Sequence, residues 1–204
     1  MTVRDHVQSI GANLLRLFLQ LWHSSDGAQI AELAVSLPLL TLLFVGTYDF
    51  GQAFNLKQKL AGATREGARF AANQTMSDLA TISTTCGSST TGPPNSICAV
   101  RDVIDSYLEG AGVNRCGLSS APGVKGTGWS WTFTASGCSA GDFTVTVNRA
   151  FPYIVGGETM EATQVVLNYP YQWHFNRVIR LVVPGANYSA VTNIPTTAVV
   201  QNLI

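Results

Sequence analysis

The sequence predicts an α+β protein: a long N-terminal helix, apolar and then amphipathic, followed by a small head with a short helix, an antiparallel β-sheet and disulfide-bridged loops. Three observations lead to this prediction. Residues 28–48 form an apolar run, a helical pattern continues behind it, and the later apolar residues change to the period of β-strands. We therefore divide the chain into a leader at 1–27, a helix at 28–75 and a head at 76–204.

The apolar run has the length of a membrane span. Its 21 residues would form a helix of about 31 Å, close to the bilayer's hydrocarbon thickness of about 30 Å. Charged residues make up 12% of the chain, against about 25% in an average soluble domain, and much of the deficit lies in this run. The 12 basic and 12 acidic residues cancel, so net charge indicates no nucleic-acid partner.

The segment before the span contains a shorter apolar run at 13–22. This run includes Arg16 and is too short to cross a bilayer. No cleavage pattern of the secretory type follows it. Residues 1–27 are therefore interpreted as an amphipathic leader.

All four cysteines follow the span, in segments rich in Gly, Ser and Thr. They lack the paired CxxC spacing of zinc and redox sites, so we expect disulfides formed in an oxidising compartment. Three pairings are possible, and we favour the pairing of neighbours because it closes short loops. The candidates are Cys86 with Cys98, and Cys116 with Cys138.

The orientation in the membrane rests on these cysteines, which place the head outside the cytoplasm. The distribution of basic residues favours the opposite orientation, because two precede the span and four follow it closely. Those residues are Arg4 and Arg16 before it, and Lys57, Lys59, Arg65 and Arg69 after it. We give the cysteines more weight, since disulfides do not persist in a reducing cytosol.

Behind the span, a helical pattern extends without a break to about residue 74, with Pro38 as a possible site of bending. The head then begins with a loop at 83–95 and a short amphipathic helix at 97–112. Strands are predicted next, with a turn at 155–158 and a final strand interrupted at Pro195. The predicted strands are 129–135, 142–151, 161–169 and 188–201, and a short helix is predicted at 171–183.

We find no chemistry that identifies an enzyme. The phosphate-binding loop, the HExxH zinc motif and the GxSxG motif are absent from the sequence, and His174 is the one histidine after the span. The spacing of Asp142, Glu158 and Glu161 does not suggest a catalytic group. We therefore expect no enzymatic activity, no metal and no cofactor, and we interpret the aromatic residues at 129–131 and 169–175 as packing residues.

The stretch 27–72 carries a recognisable set of motifs: an acid near the start of the span, a leucine-rich block, "DFG" and "REGAR". It resembles the N-terminal signature of TadE-like pseudopilins, the minor pilin-like proteins of the tight adherence (Flp) type IV pilus. Residues 165–173 resemble the family's strand ending in a "YPY" turn, whereas 76–141 match nothing in it. The signature positions are Glu32, Pro38, Asp49, Gly51, Arg65, Glu66, Gly67 and Arg69.

The resemblance implies a processing site. Pilin-like precursors are cut by a prepilin peptidase after a glycine, which leaves the acid at the fifth mature position. Cleavage between Gly27 and Ala28 would place Glu32 there. Two features depart from the pattern: Leu33 occupies the sixth position, which is aromatic in many relatives, and the leader is long.

Two physical roles for Glu32 remain open. A charged acid at the bilayer centre costs about 2.5–3.5 kcal/mol, and less near the interface, so it usually has a partner. The amine created at Ala28 by cleavage would provide one, in the same chain or in a neighbouring subunit. Alternatively, Glu32 is a hydrated carboxylate near the start of the helix, where the helix dipole stabilises its negative charge.

The resulting functional expectation is a pseudopilin in the bacterial inner membrane, with a cytoplasmic leader and a periplasmic head. Its expected partners are a prepilin peptidase, other pilin or pseudopilin subunits, the pilus assembly platform and membrane lipid. Two alternatives are kept: a single-pass periplasmic module that binds a ligand or surface, and an extracytoplasmic enzyme whose site lies in the unmatched middle region.

Overall fold

A computed structural model describes residues 25–80, 86, 92–174, 185 and 191–202. Most of the predicted leader, including the apolar run at 13–22, lies outside the described residues, as does most of the loop at 83–95. The helices are α1 (Ser25–Ala72) and α2 (Asn95–Gly110), with a 3-10 turn at Leu118–Ser120. The strands are β1 (Gly123–Lys125), β2 (Ser130–Ala135), β3 (Phe143–Val155), β4 (Glu158–Gln172) and β5 (Val191–Gln201).

Helix α1 is continuous over 48 residues, a length of about 72 Å, which confirms the predicted uninterrupted helix. Pro38 lies inside it, where its ring removes one backbone hydrogen bond. The hydroxyl groups of the span are satisfied within the helix: Thr41 donates to the carbonyl of Leu37 at 2.8 Å. Such internal bonding is what an apolar environment requires of polar side chains.

The five strands form one antiparallel sheet in the order of the chain, β1-β2-β3-β4-β5. Strands β3 and β4 extend beyond the predicted segments and meet in a hairpin at Gly156 and Gly157. Both glycines have positive φ, 62° and 92°, which explains why glycine suits the predicted turn. A bulge between Asn148 and Phe151 shifts the register before the hairpin continues.

Two details of the predicted strands were wrong. Tyr171 and Gln172, expected to start a short helix, instead complete β4 and pair with β5; most of the remainder of 171–183 lies outside the described residues. Pro195 does not interrupt the last strand but pairs with Asn168 within it. Strand β5 is at the edge of the sheet, where proline is tolerated because its missing N–H can face away from the ladder.

The core lies where the second half of α1, together with α2, packs against the sheet. Its largest apolar side chains are fully buried and come from every layer: Leu60, Ile97, Ile104, Trp131, Phe133, Phe143 and Leu167. Disulfides join Cys86 to Cys98 and Cys116 to Cys138, the neighbour pairing that we favoured from the sequence. The long helix, short helix, antiparallel sheet and two bridges confirm the predicted α+β fold.

Candidate functional site

The first half of α1 stands outside the core. It belongs to a helix long and apolar enough to cross a membrane, and none of its most apolar 18-residue window is buried by the rest of the protein. Val35 and Phe44 are 78% and 73% exposed. So much continuous apolar surface is rare on a soluble monomer, and the helix therefore fits a single-pass membrane anchor.

The predicted processing residues and the acid share the first turns of this helix. Ala28 and Glu32 are four positions apart and lie on one face, about 6 Å apart along the axis. Helical side chains tilt toward the N-terminus, so the Glu32 carboxylate points back toward Ala28. Both residues are exposed, and Glu32 has no ion-pair partner among the described residues. The structure thus places Gly27, Ala28 and Glu32 together, with the acid unpaired among the described residues.

The aspartate of the "DFG" motif is buried at the point where α1 enters the head. Asp49 is 1% exposed, and its Oδ1 accepts a hydrogen bond of 2.8 Å from the phenol of Tyr171. His174 Nδ1 lies 3.4 Å from the same oxygen. Burial, followed by the hydrogen bond and charge of Asp49, raises the pKa of Tyr171, so the tyrosine remains a neutral donor.

Aromatic rings surround this contact. Trp173 packs edge-on against Phe50 and Tyr171, with ring centroids 5.2 Å and 5.0 Å apart. Its indole Nε1 donates to the hydroxyl of Thr192 at 2.8 Å. These rings connect the start of the head to the end of the span. Because tryptophan and tyrosine favour the membrane–water interface, this junction suits the level of the headgroups.

The remaining signature residues have different surroundings. Arg65, Glu66 and Arg69 are exposed, and Arg69 is 3.9 Å from Glu66 in a solvated ion pair. Gly67 is buried, and a Cβ there would lie 2.6 Å from Ile104 Cγ1. Glycine is therefore required at position 67 for α2 to approach α1 this closely, whereas Gly51 has open space around it.

Sequence reasoning missed one functional contact of the head. Arg149, fully buried on β3, donates to the carbonyls of Ala71 and Gln74 at the end of α1, the second bond measuring 2.8 Å. Its burial lowers its pKa, although the guanidinium remains charged at neutral pH. Phe143, Val145 and Val147 are buried on the same strand, and Arg149 is the next position of this alternation.

No metal centre is formed by the described part of the chain. Within residues 25–80, 86, 92–174, 185 and 191–202, no three His, Cys, Asp or Glu side chains are grouped as metal ligands. Asp142 does not lie with Glu158 and Glu161. Asp142 precedes β3, whereas Glu158 and Glu161 are exposed near the hairpin turn.

Comparison with known protein families gave a match within helix α1. Residues 27–69 match the family model described as TadE-like protein. This segment is therefore similar to the TadE-like family. The match begins at the predicted cleavage glycine and ends three residues before the end of α1, so it covers the helix and none of the sheet. A TadE-like helix suggests a protein associated with the tight adherence pilus.

The TadE-like segment includes Asp49, whose partner Tyr171 lies in the head, far outside the matched residues. Comparison of the whole chain with curated proteins and with solved structures gave no match.

Proposed function

We propose that the protein is a membrane-anchored, non-enzymatic pseudopilin that takes part in assembly of a tight adherence type IV pilus, and that a prepilin peptidase cuts it after Gly27. The observation that carries the proposal is the exposed first half of the TadE-like helix, with Glu32 unpaired among the described residues. A tether alone needs an apolar surface but no acid in it. An acid in the span without a nearby positive charge is expected to pair with a positive group of another subunit in the assembly.

The proposed orientation has the leader in the cytoplasm and the head in the periplasm of the inner membrane. The two disulfides support this orientation, since they form and persist in an oxidising compartment. The proposed partners are the peptidase, other pilin or pseudopilin subunits that pack on the span, and the assembly platform. The head, whose core includes the second half of α1, would be displayed above the membrane.

Processing is tested by intact mass of the membrane-purified protein, made with and without a prepilin peptidase. We expect a mature chain that starts at Ala28 when the peptidase is present. Gly27→Leu should keep the full mass, whereas Gly46→Leu, a change within the same helix, should leave cleavage intact. A chain that keeps Met1 in the presence of the peptidase would contradict the proposal.

The role of Glu32 is tested by co-purification with pilin subunits. Glu32→Gln preserves the size of the side chain and removes its charge, so insertion and cleavage should persist while recovery of partners falls several-fold. Glu66→Gln is the matched control, because Glu66 is an exposed acid on the same helix beyond the span. Equal recovery with both variants would support the dipole interpretation of Glu32 instead.

The alternative of a tethered binding module predicts a different result. A span of scrambled sequence but equal apolarity would still hold the head at the membrane, and such a protein would keep its function. In the pseudopilin proposal the same change abolishes pilus assembly, because helix packing depends on the side chains of the span.

A further inference from the structure

A groove opens at the base of the head, where α1 leaves the membrane segment. Its volume is about 510 Å³, and it lies between α1 and the loop at 112–114, beside the end of β4. The α1 residues that line it are Tyr48, Gln52, Asn55 and Lys59, together with Leu56. Spacings of four, three and four put the four named residues on one helical stripe. This stripe begins at the last residue of the apolar run, so one end of the groove lies directly behind the segment that would span the membrane.

The lower end of the groove lies at the height of the headgroup layer, and its upper end lies above that layer. Gln52 and Asn55 are about 6 Å and 10 Å above Tyr48 along the helix axis. A headgroup layer occupies about 5–8 Å on each side of the hydrocarbon core. Lys59 is higher, but helical side chains tilt toward the N-terminus, which here is toward the membrane, and lysine extends its ammonium toward polar headgroups.

The groove offers hydrogen-bond donors and one cation. Among the described residues, no carboxylate lines it, and Lys59 forms no ion pair. Two of the three phenols that line the groove already donate hydrogen bonds: Tyr169 to the carbonyl of Asn114 at 3.0 Å and Tyr171 to Asp49. Among the described residues, the remaining donors of the groove are the side chains of Tyr48, Gln52, Asn55 and Lys59, whereas Nδ1 of exposed His174 already lies 3.4 Å from Asp49 Oδ1.

We propose that this groove binds the phosphate of an anionic phospholipid in the leaflet on the head side of the membrane. A lysine beside several amides suits a phosphate diester, whose oxygens accept hydrogen bonds and carry one charge. Asp49 adjoins the groove, but it is buried and its Oδ1 is occupied by Tyr171. Lipid binding would fix the height of the head above the bilayer. The inference requires a membrane-anchored helix and not the role in a pilus.

The test uses the full-length protein in detergent micelles, with native mass spectrometry to count bound lipid. Phosphatidylglycerol is titrated against phosphatidylcholine, which has the same phosphate but no net charge. We expect one phosphatidylglycerol per chain at concentrations where phosphatidylcholine does not bind. Lys59→Gln should weaken binding about fivefold. Asn55→Asp, which places a carboxylate in the groove, should weaken it at least as much.

Lys57→Gln is the matched control, because Lys57 is exposed two residues away and does not line the groove. Its effect should be less than about twofold. Equal losses for Lys57→Gln and Lys59→Gln would indicate diffuse attraction and overturn the proposal, as would equal binding of the two lipids. Displacement of the lipid by inorganic phosphate would show a site for the free anion. If a pilin subunit displaces the lipid, and no groove variant prevents this displacement, the groove would be assigned to a protein partner. That result would also overturn the proposal.

Discussion

The phenol of Tyr171 donates a 2.8 Å hydrogen bond to the buried carboxylate of Asp49, joining two residues 122 positions apart. Asp49 is in the helix motif that follows the span, and Tyr171 is in the "YPY" segment near the end of β4. The contact therefore ties the head to the helix at the level where the helix leaves the bilayer. Because of this contact, α1 is a rigid continuation of the head and not a flexible tether.

Tyr171→Phe should destabilise the head. The change removes one hydrogen bond to a buried carboxylate, and a hydrogen bond to a charged group contributes about 1.5–3 kcal/mol. We expect a lower unfolding midpoint for the full-length protein in detergent, followed by near-ultraviolet circular dichroism. Tyr153→Phe is the control, since Tyr153 is exposed on the hairpin. Equal midpoints for the two variants would show that the Asp49 contact contributes nothing.

The same contact gives an alkaline pH dependence. Burial first, then the hydrogen bond and charge of Asp49, raise the pKa of Tyr171 above its ordinary value of about 10. Because the pKa of Tyr171 is higher in the folded than in the unfolded protein, its contribution to the free energy of unfolding is fully present below about pH 10. This contribution is lost as the pH rises through the pKa of Tyr171 in the folded protein. The stability gap between wild type and Tyr171→Phe should therefore narrow above about pH 10, by up to about 1.4 kcal/mol per pH unit.

Denaturant titrations at several alkaline pH values measure this gap. Burial also raises the pKa of Tyr169, so wild type and variant will both lose stability there, and the informative quantity is their difference. The difference between wild type and Tyr153→Phe should stay constant over the same range. A gap for Tyr171→Phe that widens with pH would have the wrong sign for this account.

The sequence was sufficient for the elements whose signal is local. The span follows from the length and apolarity of 28–48, and the strands follow from alternation, with Gly156 and Gly157 marking the hairpin turn. The interpretation of 171–183 as a helix failed at its start, because a short aromatic run has no clear period. Pairing with β5, which lies 21 residues later at Tyr171↔Thr192, decided the outcome.

The contact between α1 and the head at Asp49 and Tyr171 could not be predicted from local sequence patterns. The family resemblance identified Asp49 but not its partner, since a contact between α1 and β4 depends on how the sheet docks on the helix. Arg149 was accessible in principle: a charged residue at the next inward position of a strand needs a buried partner. That its partners are helix-terminal carbonyls could be learned only from the packing.

Gly67→Ala should destabilise the protein although alanine favours helices. Its Cβ would be 2.6 Å from Ile104 Cγ1, and Ile104 is fully buried, so α2 would have to move. Overpacking of this kind costs about 1–3 kcal/mol, more than the 0.5–1 kcal/mol or so gained in helix propensity. Gly51→Ala has nothing within 4 Å of the new Cβ and should be neutral or stabilising. Chemical denaturation of both variants compares them, and a stabilised Gly67→Ala would refute the close packing of the helices.

Arg149→Met should loosen the end of α1. Methionine fills much of the space but donates no hydrogen bond, so the carbonyl of Gln74 loses the arginine donor and that of Ala71 keeps the N–H of Gln74 but loses the arginine. Cations near a helix C-terminus also favour the helix dipole, and losing both effects should cost about 1–3 kcal/mol. Arg69→Met is the matched control, because that side chain is 73% exposed in the same last turn, and it should change stability by less than about 0.5 kcal/mol. Hydrogen exchange of the amides around residue 72 separates local from global loosening. Faster exchange there in Arg149→Met alone is the expected result, and equal protection in both variants would mean that the buried arginine does not hold the helix end.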